Sequence, residues 1–125
     1  MILNKNLIFS EAQAITATAI STNVIQWPAN GIMYGDAAAT PRNLGPGTPM
    51  PILLQVVEAF ATLTSLTITL ETADDAALSS GAVVLATSGA LALAVLTAGH
   101  RPSFLRYMPD ATMKEFLGLR FTVGG

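Results

Sequence analysis

The 125 residues make one domain's worth of chain, of which 51% are apolar and only 11% charged. Eight acids against six bases leave a net charge of −2, and the bases Lys5, Arg42, Arg101, Arg106, Lys114 and Arg120 are scattered. That excludes an electrostatic platform for nucleic acid or an anionic membrane, and the lack of cysteine excludes a disulfide or a thiolate metal site.

The apolar surplus predicts that a partner covers part of the surface. The first residues carry no basic stretch followed by a long apolar run, so no secretory signal is expected. Residues 1–14 read as an N-terminal arm. Within it, Asn4 to Ser10 is extended, as an arm or a first strand, and Ser10-Glu11-Ala12-Gln13 has the form of a capping box, which predicts a short helical turn. Ile15 to Ile20 alternates and is β-branched, so it predicts a strand. Ser21-Thr22-Asn23 is a turn, and Val24 to Trp27 a strand stopped by Pro28. Residues 29–51 hold Pro41, Pro46, Pro49 and Pro51 with Gly31, Gly35, Gly45 and Gly47, and so form one long irregular loop. Tyr34 and Arg42 suggest contact with another surface, and a plain solvated loop is the equal alternative.

Ile52 to Phe60 is apolar on both sides and reads as a doubly covered strand. The clearest signal follows. Leu66, Ile68 and Leu70 alternate with Thr67, Thr69 and Glu71, which is a strand with one buried and one wet face. Thr72 to Ser80 is a polar loop carrying Asp74 and Asp75. Gly81 to Gly99 runs 19 residues without a charge. As a helix it would reach roughly 28 Å. The Thr87-Ser88-Gly89 turn signal and the alternation of Leu91, Leu93 and Val95 instead predict a hairpin of two buried strands over Ala82 to Leu96. A turn at Gly99-His100-Arg101-Pro102, a strand at Ser103 to Met108 and a turn at Pro109 to Thr112 come next. Leu117, Leu119, Phe121 and Val123 then alternate with Phe116, Gly118, Arg120 and Thr122 in a last strand. Seven or eight short strands with regular turn signals predict an all-β sandwich or barrel in a single domain, 1–125.

Little points to chemistry. His100 stands alone in a turn, no Gly-x-Ser-x-Gly occurs, and Gly45-Pro46-Gly47-Thr48 lacks the Lys of a phosphate loop. Glu71, Asp74 and Asp75 lack the order of a calcium loop and read as a solvated acidic turn. Arg106 and Arg120 are expected to pair with Glu58, Glu71 or Glu115 across a sheet. No enzyme, cofactor or metal is expected.

Several blocks carry a family resemblance. They are Ser10-Glu11-Ala12-Gln13-Ala14-Ile15-Thr16, Ser21 to Ile25, Arg42-Asn43-Leu44-Gly45-Pro46-Gly47, Glu58-Ala59-Phe60, Thr64-Ser65-Leu66, Leu85-Ala86-Thr87-Ser88, and the ending Lys114 to Gly125. In this order they resemble the Bbp16-like capsid cement proteins of tailed bacteriophages. The chain departs from that pattern at Pro49-Met50-Pro51 and Gln26-Trp27-Pro28. The resemblance implies a jelly-roll-like antiparallel β-sandwich on the outer surface of a phage head. There it would bind the major capsid protein and stabilise contacts between capsid subunits, as a symmetric oligomer (a homodimer or homotrimer). The arm and the long loop are then the expected contacts, through Leu3, Leu7, Phe9, Trp27, Tyr34, Arg42 and Leu44. The alternative is a non-enzymatic carbohydrate-binding sandwich on the virion, using Trp27 and Tyr34.

Overall fold

A computed structural model describes residues 4–27, 31–47 and 49–125. The protein is mostly β with almost no helix, built as one open antiparallel sheet. Its strands are β1 (Ala19–Ile20), β2 (Ile25–Gln26), β3 (Ser65–Ala73), β4 (Val83–Ala92) and β5 (Phe116–Gly124). The order across the sheet is β1-β5-β3-β4, and β2 also pairs with β5.

The two strands with the clearest alternation form the centre. β3 and β5 pair over their full length, with Leu66 opposite Val123, Ile68 opposite Phe121, Leu70 opposite Leu119 and Thr72 opposite Leu117. One face therefore gathers Leu66, Ile68, Leu70, Leu117, Leu119 and Phe121, all buried. The other face carries Thr67, Thr69, Glu71, Arg120 and Thr122. Leu78, fully buried, folds from the loop after β3 onto Gly118 of that outer face. A Cβ at position 118 would lie 2.9 Å from Leu78 Cδ1 and 3.2 Å from Val24 Cγ2, so glycine permits the close approach.

The apolar face is covered by irregular chain. Ile15, Val56, Leu63, Leu96, Leu105, Met108 and Met113 are buried in the same cluster as the sheet residues. Most of this cover comes from residues 50–60 running antiparallel beside 96–108. Met108 N–H donates to Met50 O (2.9 Å), Ile52 N–H to Arg106 O (2.8 Å), Val56 N–H to His100 O (2.9 Å), Gly99 N–H to Val56 O (2.7 Å) and Phe60 N–H to Leu96 O (3.2 Å). The strands predicted at Ile52–Phe60 and Ser103–Met108 are thus neighbours, but regular pairing is confined to one bridge, Pro51 with Tyr107. Pro51 and Pro102 each remove a ladder donor from the paired stretches 50–60 and 96–108, and Pro49 and Pro109 bound them. Residues 52–57 also alternate differently from expectation: Ile52, Leu54 and Val56 turn inward, whereas Leu53 and Val57 are exposed.

Other expectations change with the geometry. The described residues hold five strands, not seven or eight. Only Ala19–Ile20 of the segment 15–20 pairs. Lys5–Leu7 is a 3-10 turn capped by the Asn4 side chain, and no helix forms at Ser10. Ser10 Oγ does donate to Gln13 Oε1 (2.7 Å). Gln13 then ties the arm to β1, accepting from Thr22 N–H (3.0 Å) and donating to Ile20 O (2.9 Å).

The hairpin predicted over 82–96 is a single ten-residue strand, β4, followed by a 3-10 turn at Leu93–Val95. Thr87-Ser88-Gly89 forms a β-bulge. Thr67 pairs with Ala90 and Thr69 with Thr87, so Ser88 and Gly89 stand together opposite Ile68. Ser88 Oγ accepts from Ile68 N–H (2.9 Å), and Gly89 has φ +66°, the left-handed region that glycine enters without strain. A second register shift lies at Leu85. Among the described residues, no helix is long and apolar enough to cross a membrane.

Candidate functional site

The feature that stands out from the sheet is a tongue at residues 31–40, in which every residue is exposed. Ile32 bridges Ala39, Thr40 N–H donates to Gly31 O (3.0 Å) and Asp36 N–H to Met33 O (3.0 Å). The turn is Met33-Tyr34-Gly35-Asp36, with Gly35 at φ +91°, the positive angle a type II turn needs at its third residue. Tyr34 therefore sits at the tip, fully exposed, beside Ile32 and Met33, each exposed by more than 60%. Asp36 is the tongue's one charge.

Both ends of the tongue are fastened to the stretch 110–115 that leads into β5. On one side Trp27 N–H donates to Glu115 O (2.8 Å), and Gln26 Nε2 to Glu115 Oε1 (2.8 Å). On the other, Met113 N–H donates to Arg42 O (2.7 Å), and Asn43 Nδ2 to Asp110 Oδ1 (2.6 Å). Asn43 Oδ1 accepts from Gly45 N–H (3.0 Å) and Ala111 N–H (3.3 Å). Gly45 lies directly on the Asp110 backbone, where a Cβ would overlap it. The base is thus held by polar contacts to a core-bound segment, while the apolar tip is left exposed among the described residues.

The residues expected as contacts divide between tip and base. Tyr34 is at the tip. Leu44 and Phe9 are half-buried against the core, and Phe9 O accepts from Asn23 N–H (2.9 Å). They hold the loop and the arm to the sheet. Arg42 is half-buried at the tongue's base. Leu7 is half-exposed, and Trp27 packs on the core. Leu3 lies outside the described residues, as do Pro28, Ala29, Asn30 and Thr48. Sequence reasoning missed Ile32 and Met33. Their signal was available: an apolar triplet, Ile32-Met33-Tyr34, bounded by two glycines in a stretch with no periodicity to bury it.

A groove of about 690 Å³ lies between the arm and β2, lined by Lys5, Leu7, Glu11, Asn23, Gln26 and Trp27 among others. Trp27 Nε1 is buried and has no hydrogen-bond partner among the described residues.

The acidic residues do not converge. Glu71, 6% exposed, pairs with Arg120 (Nε to Oε2, 2.9 Å), and Arg120 also donates to Leu78 O (2.5 Å). Asp74 pairs with Lys114 (3.0 Å), which also donates to Gly81 O (2.6 Å). Asp75 accepts from Ser79 Oγ (2.6 Å) and from the Ser79 and Ser80 N–H groups. The Ser79 hydroxyl and these amides hold its carboxyl below the ordinary value. Among the described residues, no three of His, Cys, Asp or Glu lie together as a metal site would need.

No curated protein matches the chain. The family model Bbp16 matches residues 9–125, which covers both central strands, the tongue and its base. By that match the chain belongs to the Bbp16 family.

Proposed function

We propose that this protein is a non-catalytic virion component, a capsid cement that binds the outer surface of a phage head and ties neighbouring major capsid proteins together. The observation that carries the reading is the tongue: three apolar side chains kept in solvent on a base anchored to the core. Leaving such groups wet is unfavourable by about 1.5–3 kcal/mol for each large side chain, which a docked partner would recover. The family resemblance supports the major capsid protein as the partner, and a jelly-roll-like sandwich made of the sheet and its irregular cover belongs to the same proposal. Many weak contacts suffice on a lattice, because each tongue meets its site at high effective concentration. Binding the assembled shell better than free subunits then stabilises the shell. Self-association belongs to the same reading.

The test is particle heat tolerance. Particles stripped of the protein should rupture at lower temperature, and adding back the wild-type chain should restore them, while Tyr34→Ala and Met33→Asp should not. Stripped particles as robust as complete ones would end this reading.

One observation favours a carbohydrate-binding role as the second reading: Trp27 lines the groove between the arm and β2 beside the polar residues Asn23 and Gln26. A glycan-array signal lost in Trp27→Ala supports it, and a blank array removes it.

A further inference from the structure

We infer that Met33 is an oxidation site: its thioether takes one oxygen from a peroxide before any other described sulfur, and the sulfoxide turns the tongue's apolar tip polar without loosening the fold. The chain has no cysteine, so methionine is its only sulfur and no thiol competes for the oxidant. Met1 lies outside the described residues. Met108 and Met113 are buried in the core cluster. Met50 is 40% exposed and Met33 63%. A peroxide in water reaches an exposed thioether directly, and a buried one only when the core opens.

The setting of Met33 separates it further from Met50. Met33 opens the tongue's turn, and its carbonyl accepts from Asp36 N–H (3.0 Å). The backbone is thus occupied while the side chain stands in solvent beside Ile32 and Tyr34. It also borders an open cup of about 280 Å³, shared with Gly31, Ile32, Thr40 and Pro41, which admits a molecule as small as hydrogen peroxide. Met50 instead sits at the fastened end of the core's cover, where its carbonyl accepts from Met108 N–H (2.9 Å).

The step balances with hydrogen peroxide alone. A lone pair of the Met33 sulfur attacks one peroxide oxygen, the S–O bond forms as the O–O bond breaks, and the other oxygen takes the displaced proton and leaves as water. Sulfur is oxidised by two electrons and the peroxide is reduced by two. The consequence for docking rests on the capsid reading. A sulfoxide oxygen is a strong acceptor, and a partner surface fitted to an apolar tip has to bury it without a donor. Oxidation before assembly therefore switches the tongue off, whereas a docked tongue is shielded. The core sulfurs are spared, so the change is reversible: a dithiol acting through the methionine sulfoxide reductases, one for each epimer, removes the oxygen as water and restores the thioether.

The test begins with the purified chain, treated with graded hydrogen peroxide and mapped by peptide mass spectrometry. Met33 should gain one oxygen first, Met50 later, and Met108 and Met113 last, while the circular dichroism spectrum stays unchanged through the first step. Equal conversion of Met33 and Met50, early conversion of a core methionine, or a spectrum lost with the Met33 sulfoxide would overturn the inference. These readouts decide the site whatever becomes of the capsid reading. The second arm uses stripped particles. Wild-type chain oxidised at Met33 should lose the ability to restore their heat tolerance, and the two reductases with dithiothreitol should return it. Met50→Leu should respond to peroxide as the wild type does, and in Met33→Leu treated and untreated chains should behave alike. Oxidised chain that restores particles as well as untreated chain, or a peroxide effect that survives in Met33→Leu, would overturn the switch while leaving the capsid reading intact. Untreated chain that fails to restore particles would remove the capsid reading and the switch together, and leave the oxidation map standing.

Discussion

Arg120 and Glu71 show how much one pair can matter in a chain with so few charges. The Glu71 carboxylate lies on the outer sheet face at 6% exposure and is held by Arg120 and Thr69 Oγ1. Removing the cation leaves a nearly buried negative charge, and also frees the Leu78 carbonyl. Fully buried pairs lose about 3–5 kcal/mol when broken this way. With the Arg120 side chain 30% exposed, Arg120→Met should cost about 2–3 kcal/mol in urea unfolding. Asp75 sets a different dependence. Its carboxyl is lowered in the folded state, mainly by the Ser79 hydroxyl, while the unfolded chain has the ordinary value. Its contribution is therefore complete above about pH 4 and is lost as pH falls through the lowered value. Amide resonances of Ser79 and Ser80 should hold steady from neutral pH and move only below the ordinary carboxylate range, and Asp75→Asn should abolish that step.

At the scale of elements, β4 carries the lesson. Thr87-Ser88-Gly89 reads as a turn because small, polar and glycine residues break a strand, and a bulge needs the same residues. Nothing local separates a strand that reverses from one that kinks. The bulge depends on Gly89 at φ +66°, so Gly89→Ala should cost about 1–2 kcal/mol through backbone strain, although open space surrounds the position. Thermal unfolding followed by circular dichroism would measure it. β3 and β5, by contrast, were legible residue by residue, because their alternation is set by a single buried face. The segments 52–60 and 103–108 were legible as extended, but their partner is set by long-range bonds that no local pattern encodes. The site divides along the same line. The exposure of Tyr34 was readable from its setting, whereas the packing of Phe9 and Leu44 follows from a core assembled from distant residues.

For the molecule as a whole, half of the core is made by chain that is not regular structure. Leu96, fully buried just after β4, belongs to that half, and Leu70 to the sheet. If the irregular layer is as firmly packed as the strands, Leu96→Ala and Leu70→Ala should lose similar stability, about 2–5 kcal/mol each. Urea titrations should show a single transition with the same slope for both. A separate early transition in Leu96→Ala would mean that the cover detaches on its own. The placement of β5 has a temporal consequence. It is the partner of β1, β2 and β3 at once, yet it follows β1 by almost the whole length of the chain. During synthesis the β3–β4 hairpin can form early, but two strands alone are marginal in water. β1 and β2 must wait for their strand partner until Phe116 onward has emerged, and the long closure makes folding slow. A polypeptide stopped short of Phe116 would hold no sheet worth the name, however complete its list of loops.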